Sequence, residues 1–331
     1  MNIGVIGCGS IGKRHISNLL KIDGLSLFIY DSMKETMESV SKEYNVKSFG
    51  DAESLFREGN LDAVFICTPN NLHTKFVKMG LENNCHVFVE KPISHNLEGL
   101  DELERMAKEK NKMVFVACNM RFHNSIKKVK SLLDSVGKVY SVRAEFGHYL
   151  PNWRPSADYS KIYSASKEQG GGILLDAIHE FDYVSWMLGE PSEIFCLVGK
   201  LSDLKIDVED TAEVLLKTKE GIIAEIHLDY LQKVKRRSCQ VIGSKGTIVW
   251  VSTGKSPEES EVRFYDAEKN KWEVHKEVIN PNDAYLEEVT HFVNCVAGKE
   301  SPISDIGSGI MALKMVLGAK ESSTSSQSMK F

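Results

Sequence analysis

The sequence predicts a two-domain α/β chain: a doubly wound parallel sheet, then an α+β domain built on an open, mainly antiparallel sheet. Three observations carry this prediction. Up to Asn119, short apolar runs alternate with helical periods. Beyond it, strands with a period of two dominate. And 331 residues amount to about two domains at roughly 150 residues each. The expected division is 1–119 for the first domain and 120–331 for the second.

In the first domain the strand signals are Ile3 to Ile6, Leu25 to Tyr30, a weaker Lys47 to Phe49, Ala63 to Cys67, His86 to Val89 and Val114 to Ala117. Helical patterns cover Ile11 to Leu20, Lys34 to Tyr44, Leu72 to Asn83 and Leu97 to Lys108. Continuous Val, Ile and Phe runs separated by helices imply a parallel sheet covered on both faces. Right-handed crossovers then leave the doubly wound topology. In the second domain, helices are expected over Asn124 to Leu133 and, after Gly170-Gly171-Gly172, over Ile173 to Leu188. Ala224, Ile226, Leu228 and Tyr230 share one strand face, and Glu225, His227 and Asp229 the other. Further strands are expected at Val139 to Phe146, Thr211 to Lys217, Ser238 to Ile242, Thr247 to Val251 and Val262 to Tyr265. A last helix covers Ile306 to Glu321, and the Ser-rich residues from Ser322 to Phe331 are expected to fray.

Composition narrows the function. Apolar residues make up 42% and charged residues 26%, with a net charge of -5. That balance offers no basic surface to nucleic acid or anionic membrane. No apolar stretch reaches the ~20 residues of a membrane span. A strand-like run beginning at Asn2 leaves no room for a secretory leader, so a cytoplasmic location is expected. The seven cysteines are dispersed without a C-x-x-C pair, and no His cluster has ligand spacing. Reduced thiols and no bound metal are the expectation.

The chemistry begins at Gly7-Cys8-Gly9-Ser10-Ile11-Gly12, between the first strand and the first helix. The first glycine permits the turn, the second lets backbone approach a pyrophosphate, and the third lets helix and strand pack closely. The helix N-terminus adds free N–H groups and a positive dipole end. Asp31 ends the second strand about 20 residues later, where an acid accepts hydrogen bonds from an adenine ribose. Together these describe a Rossmann dinucleotide site. The Asp31 carboxylate repels a 2′-phosphate, so NAD is expected over NADP; Lys34 is the one nearby cation that opposes this. Thr68-Pro69-Asn70-Asn71-Leu72-His73 and Glu90-Lys91-Pro92 follow the next two main strands. Ligands bind beyond the C-terminal strand ends of such sheets. Thr68, Pro69, Asn70, His73, Glu90 and Lys91 are therefore cofactor-side candidates. Arg121, just past the sixth strand, joins the substrate-binding candidates.

The fingerprint, the T-P-N-x-x-H loop, the E-K-P triplet and the later G-G-G-x-x-x-D-x-x-H segment together resemble the Gfo/Idh/MocA oxidoreductases (glucose–fructose oxidoreductase, inositol dehydrogenase and relatives). The resemblance spans essentially the whole chain, in order. It implies NAD(P) as cofactor, sugars or cyclitols as substrates, a catalytic Lys91 and a cis Lys91-Pro92 peptide. It also implies His179 as acid/base with Asp176 as its partner, and homodimers or homotetramers assembled through the open sheet. The family pattern has three residues between that Asp and His, whereas this chain has two, Ala177 and Ile178. On one helix either spacing keeps both residues on one face. The expected reaction interconverts a secondary alcohol and a ketone. A dinucleotide-binding sensor without turnover, and a reductase of a non-sugar carbonyl, are the alternatives.

One long connection is also singled out, from Gly147 to Gly170, in which two prolines interrupt regular structure. Trp153 offers an apolar face for stacking on a sugar ring, and Arg154 a planar fork for a carboxylate or phosphate. The opposing reading is that Trp153 anchors the loop and Arg154 caps a carbonyl. The expected substrate is a sugar or sugar derivative, with room for an anionic group.

Overall fold

A computed structural model describes residues 1–155, 157–252 and 258–331. They form two compact units: Met1–Asn119 with Ala284–Ile310, and Met120–Asp283 with Met311–Phe331. A second domain running unbroken from 120 to 331 is therefore not what forms. Residues 284–310 belong with the first unit, for a reason visible in its core.

The first unit holds β1 (Asn2–Ile6), α1 (Ser10–Leu19), β2 (Ser26–Tyr30), α2 (Lys34–Tyr44), β3 (Lys47–Ser48), α3 (Ala52–Gly59), β4 (Ala63–Ile66), α4 (His73–Glu82), β5 (His86–Glu90), α5 (Leu100–Glu109) and β6 (Val114–Ala117). The six strands pair in parallel in the order β3-β2-β1-β4-β5-β6. Chain order reverses between β1 and β4, and in such sheets ligands sit beyond the strand ends at that point. α3 has no counterpart in the expected elements. Asp51 caps it by accepting the Ser54 N–H at 2.6 Å, and only eight residues give it a short periodic signal.

The second unit holds α6 (Asn124–Ser131), α7 (Leu133–Val136), β7 (Val139–Gly147), α8 (Ile173–Asp176), α9 (Ile178–Leu188), β8 (Pro191–Gly199), β9 (Thr211–Thr218), β10 (Ile223–Asp229), β11 (Arg236–Gly243), β12 (Gly246–Ser252), β13 (Glu258–Asp266), β14 (Lys271–Ile279) and β15 (Met329–Lys330). The sheet order is β14-β13-β12-β11-β7-β10-β9-β8-β15. Only β7 and β10 pair in parallel among these described strands; every other pair is antiparallel. β10 buries Ala224, Ile226 and Leu228 on one face, as its period of two predicts. Two expectations fail. The helix after the triple glycine breaks at Ala177 (φ -93°, ψ 28°), giving α8 and α9. The C-terminal residues do not fray: Ser322 Oγ accepts the Cys196 N–H at 3.1 Å, and β15 adds to the edge of β8.

α10 (Asp283–Val296) and α11 (Ile306–Ser325) complete the chain. Phe65, Phe88 and Phe115 stand in register on β4, β5 and β6. Neighbouring rings stack at 4.3 and 5.5 Å between centroids. Phe292 of α10 meets all three edge-on at 5.2 to 5.8 Å. That aromatic cover is why α10 belongs to the first unit. Removing a buried ring costs transfer free energy plus a cavity. Phe292→Ala should lower unfolding stability by about 3–5 kcal/mol in urea titrations, whereas Trp272→Ala on the exposed edge strand β14 should change it by less than ~1 kcal/mol. A Phe292→Ala chain that unfolds like the parent would remove Phe292 from the core.

Candidate functional site

β1, β4 and β5 end on one edge of the parallel sheet, and the cofactor candidates gather there. Gly7 lies at φ +96°, and a Cβ on it would stand 2.6 Å from the Cys67 carbonyl oxygen. A Cβ on Gly12 would stand 2.0 Å from the Gly7 carbonyl oxygen. Neither position admits a side chain. Gly9 is different: nothing lies within 4 Å of its missing Cβ, and it is exposed together with Ser10. α1 starts there with no side-chain cap and no acid in its first turn, and half-exposed Ile11 continues it. Its free N–H groups and dipole favour an anion.

Asp31 ties this loop to β2. Its carboxylate accepts the Cys8 N–H at 2.6 Å and the Met33 N–H at 2.8 Å. A carboxylate has about four acceptor sites, so sites remain for a ribose. Lys34 lies 3.7 Å from Glu38. Burial first, and Asp31 second, push the Cys8 thiol up to about 12, so it stays an inert neutral group. Beyond β4, Pro69 is exposed and Asn70 buried. Thr68 Oγ1 is shielded from solvent with no hydrogen-bond partner among the described residues. The open Gly9, the uncapped helix and the unsatisfied Thr68 hydroxyl all fit a bound dinucleotide.

His73 and Glu90 have parts other than the direct cofactor contact the sequence suggests. The His73 ring is fully buried, with Nδ1 2.8 Å from the Pro92 carbonyl oxygen and Nε2 2.8 Å from that of Thr68. It clamps the loop after β4 to the loop after β5. Burial lowers its pKa, against the pull of both carbonyls. Glu90 Oε1 lies 2.7 Å from Nε2 of His15, a buried residue of α1. Burial alone would raise the Glu90 carboxyl. The His15 hydrogen bond and the charges of His15, Lys91 and His73 outweigh it and hold the pKa below its ordinary value. The Lys91 N–H reaches Glu90 Oε2 at 3.3 Å, the Lys91-Pro92 peptide is cis, and the Lys91 side chain is half-exposed at the end of β5. His15 went unidentified in the sequence, since its partner lies 75 residues away.

In the second unit the triple glycine admits close packing. A Cβ on Gly171 would stand 2.3 Å from the Tyr163 carbonyl oxygen, and one on Gly172 (φ +108°) 2.4 Å from Glu209 Oε1. The segment delivers Asp176 to the sheet, where it is buried and accepts the Tyr230 hydroxyl at 2.5 Å. The Tyr163 and Tyr230 phenols are pushed well up, first by burial and then by the Asp176 charge, so both remain donors. His179 opens α9, half-exposed among mostly buried neighbours. Because the helix breaks at Ala177, Asp176 and His179 do not share one regular helical face.

The remaining candidates divide. Arg121 is not available as a substrate contact. Its guanidinium is buried and gives Nε and a terminal N–H to the Asp182 carboxylate at 3.0 and 2.5 Å. Trp153 behaves as the loop anchor: its N–H donates to the His148 carbonyl at 3.0 Å, and its ring meets Tyr230 edge-on at 5.2 Å. Arg154 is exposed, 5.9 Å from the Tyr163 ring centre, and stays open to a ligand. Short 3₁₀ turns at Leu150–Asn152, Tyr159–Lys161 and Tyr163–Ala165 order the loop around them.

Comparison with known proteins agrees with the fold of both units. A family model described as an oxidoreductase family with an NAD-binding Rossmann fold matches residues 1–118. A second, for the GFO/IDH/MocA C-terminal domain, matches residues 126–249. Myo-inositol 2-dehydrogenase of Thermotoga maritima is 31% identical over 100% of this chain and 98% of its own. The inositol 2-dehydrogenase/D-chiro-inositol 3-dehydrogenase of Lacticaseibacillus casei is 26% identical over 92% and 86%. The crystal structure of a probable dehydrogenase from Thermotoga maritima superposes with a TM-score of 0.83 at 29% identity, over 100% of this chain and 98% of that one.

The glycines separate folding from binding. Gly12→Ala must displace the Gly7 carbonyl, and it should lower the melting temperature as well as abolish NAD binding. Gly9→Ala meets open space, so its melting temperature should stay within ~2 °C of the parent. Its NAD affinity by calorimetry should fall at least tenfold, because the added methyl occupies the backbone's approach to the pyrophosphate. Unchanged NAD affinity in Gly9→Ala would place the pyrophosphate elsewhere.

Proposed function

The chain belongs to the Gfo/Idh/MocA oxidoreductase family, with an NAD-binding Rossmann domain, and from that premise we propose that it interconverts a secondary alcohol and a ketone on a sugar, sugar derivative or cyclitol. The observation that carries the reading is the place of Lys91. It stands at the end of β5, two strands from the glycine loop that ends β1. That is about 10 Å across the sheet at ~4.8 Å per strand.

Bound NAD supplies the hydride acceptor. Lys91 holds the substrate oxygen and stabilises it as negative charge develops. His179 takes the hydroxyl proton as general base when the carbinol C–H bond gives up its hydride, and returns it in the reverse direction. Asp176 serves as a positioning residue, fixed by Tyr230 and neighbouring Tyr163. Glu90, held by His15, fixes the backbone at Lys91. The inositol dehydrogenases among the relatives support the substrate class.

Lys91→Ala and His179→Ala should each bind NAD within threefold of the parent while losing at least ~100-fold in kcat, the scale of one acid/base or oxyanion contact. The measurement is NADH formation with a panel of cyclitols and sugars. Parent-like turnover in either variant would end that residue's assignment.

Asp31 sets the cofactor. With its carboxylate pinned by two backbone N–H groups, a 2′-phosphate would meet a fixed negative charge, so kcat/KM should favour NAD over NADP at least tenfold. Asp31→Ser should narrow that ratio. An NADP preference in the parent would contradict the reading.

A further inference from the structure

The face of the second sheet that packs against α9 carries cations for which the roles above have no use. Side chains alternate along a strand. Arg237, Cys239 and Val241 of β11 therefore share this face with their partners Phe146, Ala144 and Val142 of β7. The Arg237 guanidinium lies 4.4 Å over the Phe146 ring, and its Nε lies 2.8 Å from Glu180 Oε1 on α9. Lys235, two residues before Arg237, comes to the same face just ahead of β11. His148, two residues beyond Phe146, lies just past the end of β7. Its ring stacks on Trp153 at 5.8 Å. Trp153 in turn meets Tyr230, which holds Asp176.

Lys235 is half-buried, and Nζ makes no hydrogen bond or ion pair among the described residues. Its pKa is held below the ordinary value, first by burial and then by the charge of Arg237. His148 is pushed down to about 4, first by burial and then by Lys235. The two carboxylates whose charge reaches Lys235 are already engaged. Glu180 faces Arg237; Glu258 lies 3.3 Å from His123 Nε2 and also accepts the Ser252 hydroxyl. Withdrawing an ammonium from water is costly without a counter-charge, and the two carboxylates within reach are shared with Arg237, His123 and Ser252.

We propose that Lys235, backed by Arg237 and walled by His148 and Trp153, receives an acidic group, a carboxylate or phosphate, on the substrate's sugar ring. The inference rests on the sugar oxidoreductase reading above and narrows its substrate to an anionic sugar. The subsite lies on the side of Tyr230 and Asp176, so an acid bound there would fix the ring near the half-exposed His179. Coulombic pairing at a half-buried site is only weakly screened by salt, which suits it to choosing among sugars of similar shape.

The test is calorimetric titration of the NAD-saturated, full-length chain with D-glucuronate, D-glucose 6-phosphate and D-glucose. At least one of the two anionic sugars should bind tenfold or more tighter than glucose, about 1.4 kcal/mol; which one does so distinguishes carboxylate from phosphate. Lys235→Met should bring that ratio to within twofold of one, and Lys235→Arg should keep it. If Lys235→Met melts early, Lys235→Gln serves as the second neutral variant. Equal binding of all three sugars by the parent, no measurable binding of either anion, or a ratio that survives both neutral variants would overturn the proposal. A chain that forms NADH from neutral cyclitols yet shows no anion preference would refute this inference alone. One that binds the anionic sugars through Lys235 but forms NADH from no substrate would refute the dehydrogenase reading alone.

Discussion

The contact on which the first unit's site depends is the buried pair of His15 and Glu90. Glu90 ends a central strand of the parallel sheet, where burial disfavours its charge. Without a partner its ionised form would be expensive. His15 supplies the partner from α1, the helix whose own N-terminus forms the anion cradle. One hydrogen bond thus links the element that would hold a pyrophosphate to the strand end that presents Lys91. His73 adds the next tie in the same way, from α4, by engaging the Thr68 and Pro92 carbonyls. The edge of the sheet is set by buried polar contacts, while the aromatic stack of Phe65, Phe88, Phe115 and Phe292 fills the interior behind it.

The second unit solves the same problem with different groups. Its inner sheet face must accept helices α8 and α9, which bring Asp176, Glu180 and Asp182 into burial. Each carboxylate finds a distinct partner: tyrosine hydroxyls for Asp176, Arg237 for Glu180, and the bidentate fork of Arg121 for Asp182. This accounts for Arg121. An arginine just beyond the last Rossmann strand is well placed in sequence to be a ligand contact. Yet a buried Asp182 without a counter-charge would destabilise α9 more than a substrate contact would help. The arginines that remain for ligands on this reasoning are the exposed ones, such as Arg154.

Local patterns in the sequence carried much of this. The glycine fingerprint, the parallel alternation and the period-two strand around Ile226 are all short-range signals, and each appears where its residues place it. What escaped has long-range or ambiguous causes. α10 presents Ala284, Glu288, Val289, Phe292 and Val293 inward, and the buried glutamate interrupts the apolar stripe by which a helix is recognised. β14 is exposed on both faces for most of its length, so its Lys, Glu and His residues leave no buried alternation to read. The C-terminal serines looked like a solvated tail, but Ser322 and Ser323 accept backbone N–H groups of β8 at 3.1 and 3.0 Å. Composition describes such a segment as polar and says nothing of a neighbouring strand with donors to satisfy.

The short spacing between Asp176 and His179 falls where the chain is not continuously helical. On a continuous helix, residues three and four apart both lie on one face, so either spacing would leave the two side chains as neighbours. Here the chain leaves helical geometry at Ala177, and the two residues sit on separate elements. Asp176 is fixed from the sheet by Tyr230, while the direction of α9, and with it His179, is fixed by Glu180 on Arg237 and Asp182 on Arg121. The phase between them is therefore set by separate anchors, Tyr230 for Asp176 and Arg237 with Arg121 for α9, and not by residue count. That is a looser demand on spacing and a stricter one on the anchors: on the assignment proposed above, Tyr230, Arg237 and Arg121 touch no reacting atom yet set where Asp176 and α9 stand.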